Sequence, residues 1–397
     1  MNYLVAVDFS FLDFPGGAAR VSWDIALAAR DEGWSVSLLC LNPNPRKYID
    51  GVYEDDGIKI VRYTKPTIAD WNPARMFRQI DAATIGFRKW IGAENWDLVH
   101  MHSPFTGMGV MNAARDSTRY VYTVHSPIVR EQQINWATQG LVGKVKLLFG
   151  LTMLKNLEKV ILLRSSAVHA LSEFTRNEVQ YYHRMGDRVT VIPHWARDEF
   201  RRKLTKEEAR RKLGWPANST IFFTVRQHRV RYGIDIAIRA LARLKSDHRW
   251  MFYIGGDGPL RQNLERLAVE SGVGERVNFM GILSDETLSL AYQAADAFIL
   301  PTLSLECFGL IVLEALAFGC PVIGTDAGAI PEILQPIAPD FIVPAGNVEA
   351  LQNKIVSFLN GQLKFVSQSC LQKHIDSKFH QKAITKRLIE LLSLAIT

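Results

Sequence analysis

Strand-length apolar runs alternate with helix-periodic segments from one end of the chain to the other. The first set covers residues 4–8, 36–41, 58–62, 98–102, 120–125, 167–171 and 189–192. A second set covers 221–225, 251–254, 277–280, 297–300, 322–324 and 341–343. Apolar runs joined by helical stripes predict α/β folding around parallel sheets. Pro193 ends the first set, residues 201–211 are charged without a core stripe, and Pro216 with Asn218 opens the second. The pattern predicts two domains, 1–192 and 193–377, with the seam near 193–200. A closing helix over 378–397 carries Ile384, Leu388, Leu391, Leu392 and Leu394 on one face, which must dock somewhere.

The densest local information lies at Glu306-Cys307-Phe308-Gly309-Leu310. Two glutamates, Glu306 and Glu314, bracket a glycine and the apolar run 310–313; Gly319 stops that run and 321–324 reads as a buried strand. This predicts a loop, a short buried helix and a strand, with Glu306 before the helix and Glu314 inside it. The amides of Phe308, Gly309 and Leu310 become the free donors of the first turn, suited to a phosphate or a sugar oxygen. A carboxylate in a buried helix needs a partner, and a ligand hydroxyl is one. The plainer reading makes Glu306 a cap and Glu314 an exposed residue.

Composition narrows the picture only a little. At 397 residues the chain exceeds one ordinary core, and 48% hydrophobic with 22% charged residues excludes wholesale disorder. The net charge of +7 suits an anionic ligand or a membrane surface as well as nucleic acid. Four cysteines (Cys40, Cys307, Cys320, Cys370) lie far apart and read as buried thiols in a reducing compartment. The N-terminus starts a strand at once, and no uncharged run is long enough to span a bilayer, so a soluble cytoplasmic protein is expected.

Several weaker signals add to this. Pro15-Gly16-Gly17 follows the first strand, and Gly255-Gly256-Asp257-Gly258-Pro259 follows a strand of the second domain. Neither has the glycine spacing of a dinucleotide site, and a plain turn explains either one. His102 and His125 stand at the carboxyl ends of two strands, where open α/β sheets bind ligands; either alone reads more simply as a satisfied structural histidine, but two at one edge, each followed by Ser-Pro, weigh against that. His100 shares a face with His102 and reads as packed. Arg226, Arg229 and Arg231 fall in one loop after a strand, suited to a diphosphate or simply solvated. Glu54-Asp55-Asp56-Gly57 reads as an acidic turn before a strand, and no metal-ligand spacing is found.

Together these residues resemble the retaining GT-B glycosyltransferases of family 4, over essentially the whole chain. The strongest match is E-x-F-G-L-x-x-x-E followed by A-x-x-x-G-x-P-V-I, here residues 306–323, and then Gly328-x-x-Pro331-Glu332. Supporting matches are Gly16-Gly17, Asp97-Leu98-Val99-His100-Met101-His102, Thr123-Val124-His125, Val191-Ile192-Pro193 and Val277-x-Phe279-x-Gly281. The resemblance implies two Rossmann-like domains facing across a cleft, with the closing helix packed back on the first. It implies that Glu314 holds the ribose, while Glu306 with the amides of Phe308, Gly309 and Leu310 holds the sugar. Gly281, Ile282 and Leu283 would lie against the base and Gly16 and Gly17 against the diphosphate. His125 matches the family's active-site histidine near the sugar.

One departure stands out. Many members carry Gly-Arg-x-x-x-x-Lys-Gly where this chain has Arg226-Gln227-His228-Arg229-Val230-Arg231-Tyr232-Gly233. Gln227 and Tyr232 replace the arginine and lysine, and Arg226 and Arg231 are the expected substitutes. The implied reaction is metal-independent, cofactor-free transfer of a hexose, best matched by UDP-glucose, to a glycan or lipid-linked acceptor. A nucleotide-sugar epimerase and a non-catalytic nucleotide-sugar-binding protein are the rivals; nucleic acid is not an expected partner. Residues 141–164 mix apolar residues with Lys144, Lys146, Lys155, Lys159 and Arg164 and hold one acid, Glu158. They read either as peripheral contact with the inner face of a membrane or as a core helix with a solvated basic side.

Overall fold

A computed structural model describes residues 1–13, 16–68, 75–137, 140–197, 199–200, 203–245 and 248–397. Pro15 of the first glycine turn and the first two residues of the charged run 201–211 lie outside them. The chain divides into two compact units. One is Met1–His194 together with Lys382–Thr397, and the other is Trp195–Gln381.

The first unit holds β1 (Asn2–Ala6), β2 (Ser35–Leu41), β3 (Gly51–Asp55), β4 (Ile58–Tyr63), β5 (Leu98–Met101), β6 (Arg119–Val124), β7 (Ala167–Ala170) and β8 (Val189–Val191). Their order across the sheet is β3-β4-β2-β1-β5-β6-β7-β8. The inner strands are parallel and buried on both faces, as their continuous apolar runs require. The chain builds outward from β1 on one side and then returns to its other side, so the topological switch lies between β1 and β5. Gly16 and Gly17 follow the first of these strands and His102 follows the second.

At one edge the expectation of a parallel sheet needs correction. Glu54 and Asp55 are not part of a turn; they end β3, which pairs antiparallel with β4. Only Asp56 and Gly57 turn the chain, with φ of 47° and 70°. Both are left-handed, which is what a two-residue hairpin asks of its Asp-Gly pair. Four of the five β3 residues are exposed, so no apolar run marks the strand.

The second unit holds β9 (Thr220–Val225), β10 (Trp250–Gly255), β11 (Val277–Gly281), β12 (Ala297–Leu300), β13 (Val322–Thr325) and β14 (Ile342–Val343). All pair in parallel, in the order β11-β10-β9-β12-β13-β14, which places the switch between β9 and β12. The loop beginning at Arg226 leaves β9 and the loop carrying Glu306 leaves β12. A cluster of buried rings backs this switch. Phe223 meets Tyr292 and Phe298 edge to face, and Tyr292 stacks on Phe318.

Candidate active site

In the first unit, buried histidines and hydroxyls cross the sheet as one hydrogen-bonded line. Tyr3 Oη lies 2.6 Å from His100 Nδ1, and His100 Nε2 lies 2.6 Å from Thr123 Oγ1. Thr123 Oγ1 is 2.9 Å from His169 Nδ1, and His169 Nε2 is 2.8 Å from the Ile192 carbonyl. A carbonyl only accepts, so His169 donates from Nε2 and every earlier proton is fixed in turn. Tyr3 therefore donates to His100, His100 to Thr123, and Thr123 to His169. This line is what packs His100 out of any site.

His102 and His125 form a separate pair at the carboxyl edge, Nδ1 to Nε2 at 2.8 Å. Burial, reinforced by neighbouring histidines, holds both rings neutral; His125 is lowered to about 3. One proton lies between them. If His125 donated it, His102 would carry an N–H at Nε2, an atom that is buried without a partner among the described residues. A bare lone pair there costs less than a stranded donor, which assigns the shared proton to His102. His125 then carries its own proton on Nδ1. Gly16 caps the helix Gly17–Asp31 with an extended φ of −135°, so the backbone there makes no demand for glycine.

The remaining candidates belong to the second unit. A guanidinium nitrogen of Arg226 donates to Glu306 Oε2 and, at 3.2 Å, to Thr302 Oγ1. Both charged side chains are nearly buried, at 8% and 14% exposure, so each serves as the other's counterion. Arg226 also lies over the Tyr232 ring at 4.1 Å, and Arg231 lies over it at 4.8 Å while donating to its hydroxyl at 2.7 Å. Tyr232, where the resemblance implies a lysine, thus holds two arginines through its ring. Arg229 is exposed.

Glu306 is set by a tight and strained loop. Leu305, buried just before it, has φ of 58°. Gly328 has φ of 61°, and a Cβ there would stand 2.2 Å from the Glu306 carbonyl oxygen. That carbonyl accepts from Ala329 at 2.7 Å. Beyond the loop, Gly309 caps the helix Leu310–Ala317 with φ of 95°. The amides of Phe308, Gly309 and Leu310 have no hydrogen-bond partner among the described residues. Glu314 on this helix is half-buried and accepts from the Tyr292 hydroxyl at 3.0 Å. Gly281 ends β11 with φ of 74°, and its carbonyl accepts from Gly256 at 2.7 Å. Ile282 is 71% exposed and Leu283 half-buried.

Arg226, Arg231 and Glu306 are therefore brought together at the second switch point, with Phe308, Gly309, Leu310 and Glu314 on the element that follows. Sequence reasoning missed Tyr292 and the clamping role of Tyr232. Tyr292 lies on another helix and carries no local signal; Tyr232 was visible only as a departure. Among the described residues no cluster of three His, Cys, Asp or Glu side chains could hold a metal, and no helix is long and apolar enough to cross a membrane.

Residues 15–199 match the family model for Glycosyltransferase Family 4, and residues 205–370 match that for Glycosyl transferases group 1. The chain belongs to glycosyltransferase family 4. An uncharacterized glycosyltransferase of Methanocaldococcus jannaschii is 28% identical over 254 residues, which are 62% of this chain and 61% of that protein. The chain thus spans about three fifths of that relative's length. Among solved structures, a sucrose-phosphate synthase of Thermosynechococcus elongatus superposes with a TM-score of 0.80 at 20% identity, covering 99% of this chain and 98% of that one. HepE of Anabaena, in complex with UDP-glucose, superposes at 0.75 and 19%, covering 99% and 100%. The fold is GT-B. In this family 4 chain Arg226 and Arg231 flank Tyr232 as an Arg–Tyr–Arg stack.

Proposed function

We propose that the protein is a retaining glycosyltransferase moving a hexose, taken first as glucose, from a UDP-sugar to a hydroxyl of a glycan or lipid-linked saccharide during polysaccharide or glycoconjugate assembly. The observation that carries this reading is the Arg226–Glu306 pair at the switch point, beside three amides without a partner among the described residues. The likeness to a protein crystallised with UDP-glucose supports the choice of donor.

On this reading Glu314 binds the ribose, Gly281, Ile282 and Leu283 line the base, and Glu306 with Phe308, Gly309 and Leu310 holds the sugar. The bond from the anomeric carbon to the diphosphate oxygen breaks and its electron pair leaves with the phosphate. Arg226, Arg231 and the helix amides stabilise that charge without a metal or other cofactor. The acceptor hydroxyl attacks the same face, and its proton passes to the leaving phosphate oxygen. His125, neutral, orients a sugar hydroxyl, and Gly16 and Gly17 let the diphosphate approach their backbone.

Calorimetric titration with UDP, GDP and ADP, followed by donor hydrolysis, tests the reading. One nucleotide should bind, weakened roughly tenfold or more by Glu314→Ala, the loss of a charge-assisted hydrogen bond pair. Binding by none of the three would sink it. Peripheral membrane contact belongs to the same proposal. Helix Leu151–Arg164 turns Glu158 inward, onto Tyr122, His183 and the Ile128 amide, and leaves Lys155, Lys159 and Arg164 exposed beside Val160 and Leu163. Flotation with anionic vesicles checks that contact; a chain that stays with the soluble fraction would remove it.

A further inference from the structure

A cavity of about 390 Å³ opens on the first unit, between helices Ile128–Ala137 and Glu173–His183. Arg130 and Gln133 line it from the first helix, and Glu178, Tyr181 and Tyr182 from the second. None of them takes part in the donor chemistry above. The volume falls within the range of small-molecule sites, and polar groups converge on it.

Its walls are organised in advance. Tyr182 packs against the Ile128, Val129 and Leu154 cluster, and its hydroxyl donates to Gln133 Oε1 at 2.8 Å. Tyr181 meets that fixed ring edge to face, 4.9 Å between centroids, yet is itself 73% exposed. An aromatic face is thus held out in water beside a set of polar groups. Arg130 Nε and Glu178 Oε2 stand 3.9 Å apart, beyond hydrogen-bond length, and that oxygen has no hydrogen-bond partner among the described residues. Burial raises the Glu178 carboxyl, and Arg130 offsets only part of the rise. A hydroxyl set at this pair accepts from the guanidinium and donates to the carboxylate.

The charges select the ligand. A phosphate or an anionic membrane would meet Glu178, and a cation would meet Arg130. An uncharged molecule with several hydroxyls and an apolar ring face suits both the Arg130–Glu178 pair and the exposed Tyr181 ring. We propose that this cavity binds an interior sugar residue of a neutral glycan acceptor, with Tyr181 against the ring face and Arg130 and Glu178 sharing its hydroxyls. The proposal rests on the glycosyl-transfer reading. Helix Ile128–Ala137 starts three residues after His125, and helix Glu173–His183 leaves the carboxyl edge just after β7. At 1.5 Å per residue Tyr181 lies about 12 Å along that helix from its start. A glycan ending at the carboxyl edge can run back over the cavity.

The test is calorimetry on the full chain, without nucleotide, using a panel of neutral tetra- to hexasaccharides of glucose, mannose, galactose and xylose. At least one should bind. Both Tyr181→Ala, at an exposed position, and the isosteric Glu178→Gln should weaken it roughly tenfold, the loss of one aromatic or one charge-assisted contact. UDP titrated in parallel should be unaffected by either change. Absence of glycan binding while UDP binds would overturn the cavity and leave the enzyme reading standing. Glycan binding that survives both substitutions would overturn it too, as would Tyr181-dependent binding to anionic vesicles without glycan binding. Cavity-dependent glycan binding with no nucleotide bound would support the cavity and remove the transferase reading.

Discussion

His125 shows how much a single proton's position decides. Its ring is neutral at any ordinary pH because burial and the nearby His169 and His194 oppose a positive charge. It therefore works through one donor and one acceptor, and His102 occupies the acceptor. A two-dimensional ¹⁵N spectrum should show His125 protonated at Nδ1, with no titration between pH 5 and 8. A proton found at Nε2 would reverse the pair and leave His102 with a stranded donor. Residue by residue, the glutamates were legible because their spacing sits in one local motif. The partners that hold them were not. Arg226 reaches Glu306 across 80 positions and Tyr292 reaches Glu314 across 22, and such pairings exist only once the sheet has formed.

At the scale of elements, the strand pattern was readable wherever both faces are buried. It failed at β3, whose exposed Tyr53, Glu54 and Asp55 give no alternation, although the Asp56-Gly57 pair was a hairpin signal in plain view. The loop before helix Leu310–Ala317 is the element on which the site depends most, and Gly328 is its support. Gly328→Ala should cost roughly 1–2 kcal/mol from the left-handed φ alone, with more from the contact against the Glu306 carbonyl. Gly214→Ala is the control: its φ is 69° but nothing lies within 4 Å of the added Cβ. Both variants should lower the denaturant midpoint. Donor hydrolysis should fall about tenfold or more in the first only, since displacing a catalytic group by a fraction of an ångström suffices for that. Equal activity in the two would separate the loop from the chemistry.

For the whole molecule, buried neutral histidines set the response to acid. His100, His102, His125 and His169 are all lowered, His125 to about 3 and His169 to about 4, with burial as the first cause. Between the unfolded value of about 6.5 and those lowered values the unfolded chain binds more protons than the folded one. Stability is therefore full above that window and lost as pH falls through it. At pH 5.5 each such ring costs the fold on the order of 1 kcal/mol. Asp8, whose carboxyl burial raises, works in the opposite direction and offsets part of this. Thermal unfolding followed at pH 7.5 and 5.5 should show a clear drop in Tm, and a flat profile would mean the rings accept protons in the fold. The division of the chain has a consequence during synthesis. The first unit includes Lys382–Thr397, and Ile384, Leu388 and Leu392 are buried in the folded chain. On the ribosome, residues 195–381 must emerge before that unit can close, about 10–40 s at ordinary elongation rates. The half that is made first is completed last. Its unfinished face is exposed for that interval, so a chaperone or a neighbouring nascent chain meets this protein there before residues 382–397 do.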